Sequence, residues 1–343
     1  MQFRTVEVQQ AVGMVLCHDI TRIVRGESKG PLFRKGHVVQ VEDIPHLLNV
    51  GKEHLYVYEI NDAFVHEDDA ALRIALATAG ENIRLEGPKE GKIELLSTID
   101  GLVKVDIDNL YRINDEEQMM FASIHNNRYV KAGAKLAGTR IIPLVIDARK
   151  IKHVEEMCLL NGPILRVLPT KALKAGIVTT GSEVFHGRIV DAFGPVLQKK
   201  ATDYGFTILR QAIVDDSVEQ IADAIHGLLA EGAELILVTG GMSVDPDDLS
   251  PTGIKAAGGH VVTYGAPALP GAMLMLAYIG DVPILGLPGC VMYHGASVFD
   301  LVLPRLLAGE HLRKSDIVAL GHGGLCTACP SCHFPDCAFG KSE

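Results

Sequence analysis

The feature that most constrains this chain is a regular alternation of buried strand patterns and helical patterns after Pro169. Short β-branched runs alternate with segments such as Val218–Ala230, in which apolar residues repeat at helical spacing on one face. This alternation predicts an α/β fold with a mainly parallel sheet and helices on both of its faces. Because ligands of such sheets bind at the carboxyl ends of the strands, we expect the functional residues in the loops that follow them.

The chain is long enough for roughly two or three domains. Before the α/β region, short strand patterns are separated by glycine, asparagine and aspartate turns, with a short helix predicted at 41–49 and a longer one at 61–80. We predict a β-rich module at 1–60, a helix with a small β-rich module at 61–168, the α/β domain at 171–310, and a tether with a cysteine-rich tail at 311–343. Within the α/β domain the predicted strands are 176–179, 207–214, 235–239, 260–264 and 283–287, and the predicted helices are 194–204, 218–230 and 291–307.

Charge and hydropathy exclude several classes of partner. The formal net charge of −10 argues against broad binding to nucleic acid or to an anionic membrane, because both need a basic surface. The first residues lack the charged-then-apolar pattern of a signal peptide, and the longest apolar stretch, 272–279, is too short to span a bilayer. We therefore expect a cytoplasmic protein.

Thr180, Gly181 and Ser182 follow the first predicted strand of the α/β domain. Small and hydroxyl residues at such a position expose backbone N–H groups that can hold a phosphate. The carboxylates of Glu183 and Asp191 come next, and a carboxylate beside a phosphate is repulsive unless a cation such as Mg²⁺ bridges them. The alternative is an ordinary turn with a helix N-cap.

A second loop follows the predicted strand at 235–239. Its small and acidic residues are Gly240, Gly241, Ser243, Asp245, Asp247 and Asp248. The two glycines permit positive φ and close backbone approach to a ligand. The three aspartates repel one another, and a metal or a substrate donor would relieve that cost. In the alternative, Asp248 only caps a helix that begins near Ser250.

Two further turns have the same character. Pro270-Gly271 and Pro288-Gly289 each predict a sharp bend, and the second of them leaves backbone N–H groups at a helix start. Many α/β domains contain such turns, so neither is specific by itself. The succession of these loops after successive strands is what predicts a ligand site.

In this order, the loops resemble the molybdopterin-binding domain that molybdopterin molybdotransferases and molybdopterin adenylyltransferases share. The resemblance covers 171–310, and it implies that Glu183, Asp191 and Asp248 surround the pterin phosphate and a metal or molybdate. The residues that it implies for ligand binding are Thr180, Gly181, Ser182, Asp216, Gly240, Gly241, Ser243, Asp247, Pro270, Gly271, Pro288 and Gly289. Asp216 has an alternative role as the cap of the following helix.

The resemblance implies a transferase of molybdenum cofactor biosynthesis that acts in molybdopterin activation or molybdate insertion. Its ligands would be molybdopterin or adenylylated molybdopterin, molybdate and Mg²⁺. Its partners would be a molybdoenzyme or another cofactor-biosynthesis protein, and copies of the chain would form a homo-oligomer. The chain departs from the family pattern in two places: Ala272 stands where the family has lysine, and Cys290-Val291 replaces Asn-Pro. Losing a cation weakens the case for molybdate insertion, so pterin binding is better supported than either step.

Two other functions stay open. Asp247-Asp248-Leu249-Ser250 resembles an element of the competence-damage-inducible family, which implies a nucleotide pyrophosphatase. The missing lysine also favours a non-catalytic carrier or sensor of the pterin cofactor. Cleavage of a dinucleotide without pterin affinity would indicate the first, and tight binding without turnover the second.

The end of the chain contains a cluster of four cysteines, Cys326, Cys329, Cys332 and Cys337. In a reducing cytosol such spacing is typical of a metal site, and the CxxCxxC run favours an iron–sulfur cluster over Zn²⁺. Four free thiols without metal are the alternative. Gly321–Gly324 predicts a flexible tether that would let this tail reach the active site or a partner.

Overall fold

The structure, a computed structural model, describes residues 2–23, 29–59 and 63–341 of the chain. The chain divides into two units. The N-terminal unit contains 1–98, 105–124 and 132–167, and the C-terminal unit contains 99–104, 125–131 and 168–343. Among the described residues, no helix has the length and apolar character that crossing a membrane requires.

The first part of the chain consists of short strands and helices. In chain order the elements are β1 (Gln2–Glu7), β2 (Ile20–Ile23), β3 (Lys29–Phe33), α1 (Ile44–Asn49), β4 (His54–Glu59), β5 (Phe64–His66), α2 (Glu67–Thr78), β6 (Ile83–Lys89), β7 (Lys92–Ser97), β8 (Gly101–Val105), α3 (Ile107–Asp115), β9 (Met119–Ser123), β10 (Tyr129–Val130), β11 (Lys135–Ile141), β12 (Val145–Asp147), α4 (Ala148–Asn161) and β13 (Leu165–Pro169). Strands β6, β7, β11 and β9 form an antiparallel sheet, against which α2 packs. Strand β1 pairs with β4, and β2 pairs with β3, both antiparallel.

The helix α3 lies in a region for which the sequence predicted only strands, so that part of the prediction is wrong. Asp106 caps this helix, since its carboxylate accepts the Asn109 N–H at 3.1 Å. Leu110 and Ile113 are buried one turn apart. The Asp before an apolar pair at helical spacing is the signal that could have predicted it.

The C-terminal unit contains the predicted α/β domain. Its remaining elements are β14 (Lys174–Thr180), α5 (Ser182–Phe185), α6 (Phe193–Tyr204), β15 (Thr207–Val214), α7 (Val218–Ala230), β16 (Leu235–Thr239), α8 (Ser250–Ala256), β17 (His260–Tyr264), β18 (Met275–Ile279), β19 (Val282–Leu287), α9 (Val298–Leu307) and α10 (Lys314–Val318). The six-stranded sheet has the order β15-β14-β16-β19-β18-β17. The first four strands are parallel, and β18 and β17 extend the sheet antiparallel.

Helices cover both faces of this sheet, as predicted. Leu235 and Leu237 of β16 point into a layer that includes residues of α6 and α9. Ile236 and Val238 point to the opposite face, where they pack with residues of α7 and α8. A strand buried on both faces is apolar throughout, which is why the sequence pattern predicted it.

Strand β18 and the last long helix of this unit differ most from the prediction. Strand β18 was not predicted, because its run of apolar residues is followed by only a short turn before β19. The last helix starts at Val298 rather than 291. Ser297 caps it by accepting the Phe299 N–H at 3.2 Å, and Gly289–Met292 forms a separate 3-10 turn.

The predicted tether at Gly321–Gly324 is not a free linker in the structure. Gly324 O accepts the Leu269 N–H at 2.7 Å, and Gly323 O accepts the Gly340 N–H at 2.9 Å. A Cβ on Gly324 would lie 2.6 Å from the Pro267 carbonyl oxygen. The segment therefore packs against the C-terminal unit, and the expectation of flexibility is wrong.

Candidate functional site

A cleft of about 780 Å³ opens at the carboxyl ends of β14, β16 and β19. The predicted site residues that line it are Thr180, Glu183, Asp191, Gly240, Gly241, Ser243, Asp248, Pro270, Gly271, Pro288 and Gly289. Gly181, Ser182, Asp216 and Asp247 are outside this lining. Parallel strands end at one edge of the sheet, so loops that are far apart in sequence meet there.

Asp216 holds the first loop rather than facing the cleft. Its Oδ2 accepts the Ser182 N–H at 2.8 Å, at the point where α5 begins. The alternative role as a helix cap is wrong, because Ser217 caps α7 by accepting the Gln220 N–H at 3.4 Å. Asp216 therefore positions the loop that carries Glu183.

Asp191 has protein partners on both carboxylate oxygens. Oδ1 accepts the Phe193 N–H at 2.9 Å, and Oδ2 accepts the Gly194 N–H at 2.9 Å at the start of α6. Gln211 Nε2 also donates to Asp191 Oδ2 at 2.7 Å and to Thr179 Oγ1 at 2.8 Å. These three donors fix the orientation of the carboxylate and use most of its acceptor sites.

Sequence reasoning missed Gln211. It lies in β15, at the edge of the sheet, where a polar side chain is common and carries no motif. Only the pairing of β15 with β14 brings it beside Thr179. The strand also contains Thr207 and Arg210, so a further polar residue at Gln211 gave no clear signal in the sequence.

The glycine loop after β16 is held by a hydrogen-bonded network. Ser250 Oγ donates to Gly240 O at 2.8 Å and lies 3.2 Å from Thr180 Oγ1, which connects this loop to the end of β14. Gly240 has φ 83°, and a Cβ there would overlap the Thr180 carbonyl oxygen. Only glycine fits this position without displacing β14.

Tyr264 supports the next part of the same loop. Its hydroxyl lies 3.0 Å from Met242 O and 3.1 Å from Ser243 O, so it donates to these backbone carbonyls. Burial, with a smaller contribution from Asp248, raises the pKa of this phenol and keeps it a neutral donor. Neither Ser250 nor Tyr264 was predicted as part of the site.

Asp248 closes a turn and faces the cleft. Its Oδ2 accepts the Asp245 N–H at 3.1 Å. The residue before α8 is Leu249, whose side chain makes no capping hydrogen bond, so the alternative in which Asp248 caps that helix is wrong. Asp248 thus uses one carboxylate oxygen to stabilise the turn, and it also lines the cleft.

The two Pro-Gly turns serve different purposes. Pro270 O accepts the Val298 N–H at 3.0 Å, and a Cβ on Gly271 would overlap the Val298 side chain, so this turn packs on the start of α9. A Cβ added to Gly289, in contrast, would have no heavy atom within 4 Å. A larger residue there would occupy cleft space instead of packing against the protein.

The side chains that line the cleft are acidic, hydroxyl-bearing or apolar. The three carboxylates of Glu183, Asp191 and Asp248 line it, and its described lining contains no lysine or arginine. Ala272 and Cys290, at two positions that depart from the family pattern, both lie in this lining, as does Met273. Burial raises the pKa of the Cys290 thiol, which favours its neutral form. A phosphate here would depend on backbone N–H groups and a bound cation.

The four C-terminal cysteines do not form the predicted metal site in this structure. In the ranges that the structure describes, no three His, Cys, Asp or Glu side chains are grouped so that they could hold a metal ion. Cys329 and Cys332 are exposed, and Cys326 and Cys337 are half-buried, all as free thiols. Their sulfur chemistry fits Zn²⁺ or an iron–sulfur cluster, but their positions in this structure do not.

For Mg²⁺ the oxygen donors of the cleft are of the right type, and that ion commonly uses one or two carboxylates plus substrate phosphates.

A second cavity, of about 860 Å³, lies in the N-terminal unit. It is lined by equal numbers of acidic and basic side chains, namely Asp19, Glu67, Asp68, Glu90, Arg34, Lys35, Lys89 and Arg140. Some of these charges pair with one another, since Lys35 Nζ lies 2.8 Å from Asp68 Oδ2. This balance gives the cavity no net preference for an anion or a cation. Its described lining also includes none of the strand-end loops in which the ligand site was predicted.

Comparison with known proteins finds its main match in the α/β region that contains the cleft. Residues 176–308 match the family described as "Probable molybdopterin binding domain", and 5–59 match a family described only as a domain of unknown function. A CinA-like protein of Frankia casuarinae is 33% identical over 87 residues, which are 25% of this chain and 20% of that protein. A molybdenum cofactor biosynthesis bifunctional protein of Synechococcus elongatus is 36% identical over 95 residues, or 27% of this chain and 30% of that protein.

The aligned part of this chain thus covers less than a third of the length of either relative. Among solved structures, the molybdopterin biosynthesis enzyme MoaB of Thermus thermophilus aligns with 40% of this chain and 98% of its own, at 20% identity and a TM-score of 0.33. The matched residues 176–308 include the loops that follow β16 and β19, and they also include Glu183 and Asp191. At residues 176–308 this chain therefore carries a domain of the molybdopterin-binding domain family.

Proposed function

We propose that the cleft binds molybdopterin through its phosphate and that the protein acts in molybdenum cofactor biosynthesis. The observation that carries this proposal is that the loops of the matched domain line one cleft. The described lining combines glycine loops, carboxylates and an apolar wall, which suits a ligand with a phosphate at one end and a flat ring at the other. This also agrees with the relative named for molybdenum cofactor biosynthesis.

In this proposal the chain contributes positioning and charge neutralisation rather than covalent catalysis. The backbone of Gly240 and Gly241, held by Ser250, would receive the phosphate. Glu183 and Asp248 would hold Mg²⁺ against it, and Met273 and Tyr293 would contact the ring. The magnesium ion would supply the charge that offsets repulsion between the carboxylates and the phosphate.

The reaction step is a separate part of the proposal. The alternatives are activation of molybdopterin and insertion of molybdate into it. The cleft lining holds no lysine or arginine among the described residues, which disfavours insertion of an oxyanion such as molybdate. We also propose that a molybdoenzyme or another cofactor-biosynthesis protein receives the product, and that the chain works as a homo-oligomer.

Binding of molybdopterin, prepared without oxygen and in the presence of Mg²⁺, tests the proposal. We expect Asp248→Asn to raise the dissociation constant about tenfold, because the carboxylate charge is lost while the amide oxygen still accepts the Asp245 N–H. Asp281→Asn removes the same charge from the exposed turn between β18 and β19 and serves as the control. No binding by the unaltered protein, or equal effects of the two substitutions, would refute the assignment.

A nucleotide pyrophosphatase is the second candidate. CinA-like relatives and the Asp247-Asp248-Leu249-Ser250 element favour it. Incubation with a dinucleotide that contains a pyrophosphate bridge separates the two functions. Cleavage without affinity for molybdopterin would favour the pyrophosphatase, whereas tight pterin binding without any turnover would favour a carrier or sensor.

A further inference from the structure

The segment Gly323–Lys341, which contains the four cysteines and which we call the cysteine tail, lies beyond the matched residues 176–308. Its two ends meet, because Gly323 O accepts the Gly340 N–H at 2.9 Å. A Cβ on Gly323 would also overlap the Lys341 carbonyl oxygen. The cysteine tail is therefore a closed loop, and its position depends on the surfaces against which it packs.

The far end of the cysteine tail is anchored on α9. Gly340 has φ 77°, and a Cβ there would overlap the Leu301 side chain. Phe339 beside it is 4% exposed. Asp336 forms an ion pair with Arg128, but its side chain is 76% exposed. The buried contacts, rather than the exposed ion pair, hold this end in place.

The near end of the cysteine tail pairs with a wall of the cleft. Leu269 donates its N–H to Gly324 O at 2.7 Å, and its carbonyl oxygen accepts the Cys326 N–H at 2.8 Å. These two bonds form a parallel bridge between Leu269 and Leu325. Gly324 lies so close to the wall that a Cβ on it would be 2.6 Å from the Pro267 carbonyl oxygen. Both backbone groups of Leu269 are thus bonded to the tail.

This wall, residues 269–273, has few other attachments. Pro270 O accepts the Val298 N–H at 3.0 Å, at the start of α9. The other described backbone bonds of the wall, with Ala266 and Leu274, close turns of the same loop. Two of the three described backbone bonds that attach the wall to another segment therefore come from the cysteine tail.

The side chain of Leu269 is directed to the ligand space although its backbone is fixed. Leu269 lines the cleft and is 54% exposed. A bound ring that covers this side chain would bury apolar surface, which is favourable. Because the backbone is already held, little conformational freedom remains to be lost on binding. Leu269 therefore suits the same part of the ligand as Met273 and Tyr293, which lie in the same lining.

We propose that the cysteine tail positions Leu269 as an apolar contact for the ring of the cleft ligand. The matched residues 176–308 then do not complete the ligand site alone, because a segment beyond them holds one wall of the cleft. The ligand contact rests on the proposed function. The attachment of Leu269 to the tail does not.

Hydrogen–deuterium exchange of the full chain without ligand tests the attachment. We expect the Leu269 amide to be protected by its bond to Gly324 O. Gly324→Ala should accelerate its exchange about tenfold, because the added Cβ overlaps the Pro267 carbonyl oxygen, while peptides from β16 stay unchanged. Gly227→Ala, whose Cβ would meet only the Arg210 side chain at 3.9 Å, is the matched control. An unprotected Leu269 amide, or exchange that Gly324→Ala does not accelerate, would overturn the proposal.

A second pair of variants loosens the tail from its far end and leaves Gly324 in place. Phe339→Ala removes a buried side chain, and we expect it to accelerate exchange at Leu269 severalfold. Phe339→Leu keeps much of the apolar contact and should have a smaller effect. If Phe339→Ala leaves the exchange at Leu269 unchanged, the buried end of the tail does not hold the wall.

Molybdopterin binding then tests whether the tail acts through Leu269. Leu269→Ala should raise the dissociation constant severalfold and leave the residue 269 amide protected, because only the side chain is lost. Gly324→Ala should raise the dissociation constant when Leu269 is present, but scarcely when residue 269 is already alanine. Equal effects of Gly324→Ala in both backgrounds, or no effect of Leu269→Ala, would contradict the assignment.

The two proposals fail in different ways. If the unaltered protein does not bind molybdopterin, the proposed function is refuted together with the ligand contact at Leu269, and exchange alone decides whether the tail holds the wall. If the unaltered protein binds molybdopterin and the Leu269 and Gly324 variants bind it equally well, only the role of Leu269 and the tail is refuted.

Discussion

The cleft and the cysteine tail show opposite relations between sequence spacing and spatial proximity. Asp191, Asp248 and Gly289 are far apart in sequence but line one cleft. The four cysteines lie within 326–337, yet they do not form a metal-binding group in the described structure. The difference teaches that a shared sheet edge gathers residues more reliably than short spacing does.

The physical reason is the framework behind each set. Buried strands fix the direction of every loop in the cleft, and both faces of the sheet are packed. The described residues of the cysteine tail form no strand or helix of their own, and a few backbone bonds and buried side chains position them. We therefore expect the cleft loops to keep their positions when a residue at the edge of the cleft is substituted. We expect the cysteine tail to change its conformation more easily.

The largest effect should come from filling the tightest point of the cleft framework. Gly240→Val adds a side chain that overlaps the Thr180 carbonyl oxygen, in a backbone with positive φ. We expect a loss of about 3 kcal/mol in the free energy of unfolding, measured by denaturant titration, and loss of ligand binding. Gly232→Val has similar φ without the overlap and should cost only about 1 kcal/mol. Equal losses would show that the close approach between β14 and β16 is not the constraint.

A smaller effect should follow from removing the support of Asp191. Gln211→Leu deletes the donor to Asp191 and Thr179 while keeping the side-chain size. We expect a loss of about 2 kcal/mol in stability, by thermal unfolding, and a severalfold rise in the dissociation constant for the pterin. Gln198→Leu, on the exposed face of α6, is the control. Unchanged binding would mean that Asp191 needs no positioning.

Thiol reactivity compares the cleft and the tail within one protein. Cys290 lines the cleft, and burial raises its pKa, so little thiolate forms at neutral pH. Cys329 is exposed. In metal-free protein we expect iodoacetamide to modify Cys329 roughly tenfold faster, as followed by mass spectrometry of peptides. The rate at Cys290 should rise with pH, because the fraction of thiolate grows as the pH approaches its raised pKa. Equal rates would contradict the difference in environment.

The smallest effect should come from the exposed ion pair of the tail. Asp336→Asn removes the partner of Arg128, but the Asp336 side chain is largely in solvent. We expect a change below about 0.5 kcal/mol in stability and no change in exchange at Leu269. A large loss of protection at Leu269 would show that electrostatic attraction, and not the buried contacts, docks the tail.

Much of the α/β fold was predictable from the sequence. The bounds of β15, α7, β16 and β17 agree with the prediction residue for residue. These elements have clear periodicity and strong turn signals at both ends. Helix α3 and strand β18 were missed because their patterns are short: α3 has nine residues, and β18 has five and follows an apolar run without a break in pattern.

The candidate site was predictable only in part. Loops after β14, β16 and β19 do line one cleft, and the roles of Glu183, Asp191 and Asp248 remain predictions until binding is measured. Asp216 and Asp247 look like site residues in the sequence but lie outside the lining. Gln211 and Tyr264 support the site without any motif. Their partners lie in loops and strands that are distant in sequence, so spacing along the chain cannot identify them.

The sequence by itself determined most of the strands and helices of the α/β domain and which of its loops are rich in glycine and carboxylates. This follows because periodic apolar residues specify which face of each element is buried. The tertiary structure alone decided the strand order β15-β14-β16-β19, the support of Asp191 by Gln211, and the pairing of Leu269 with the cysteine tail. Such contacts join segments that are distant in sequence, and only the packed chain determines which of the possible partners meet.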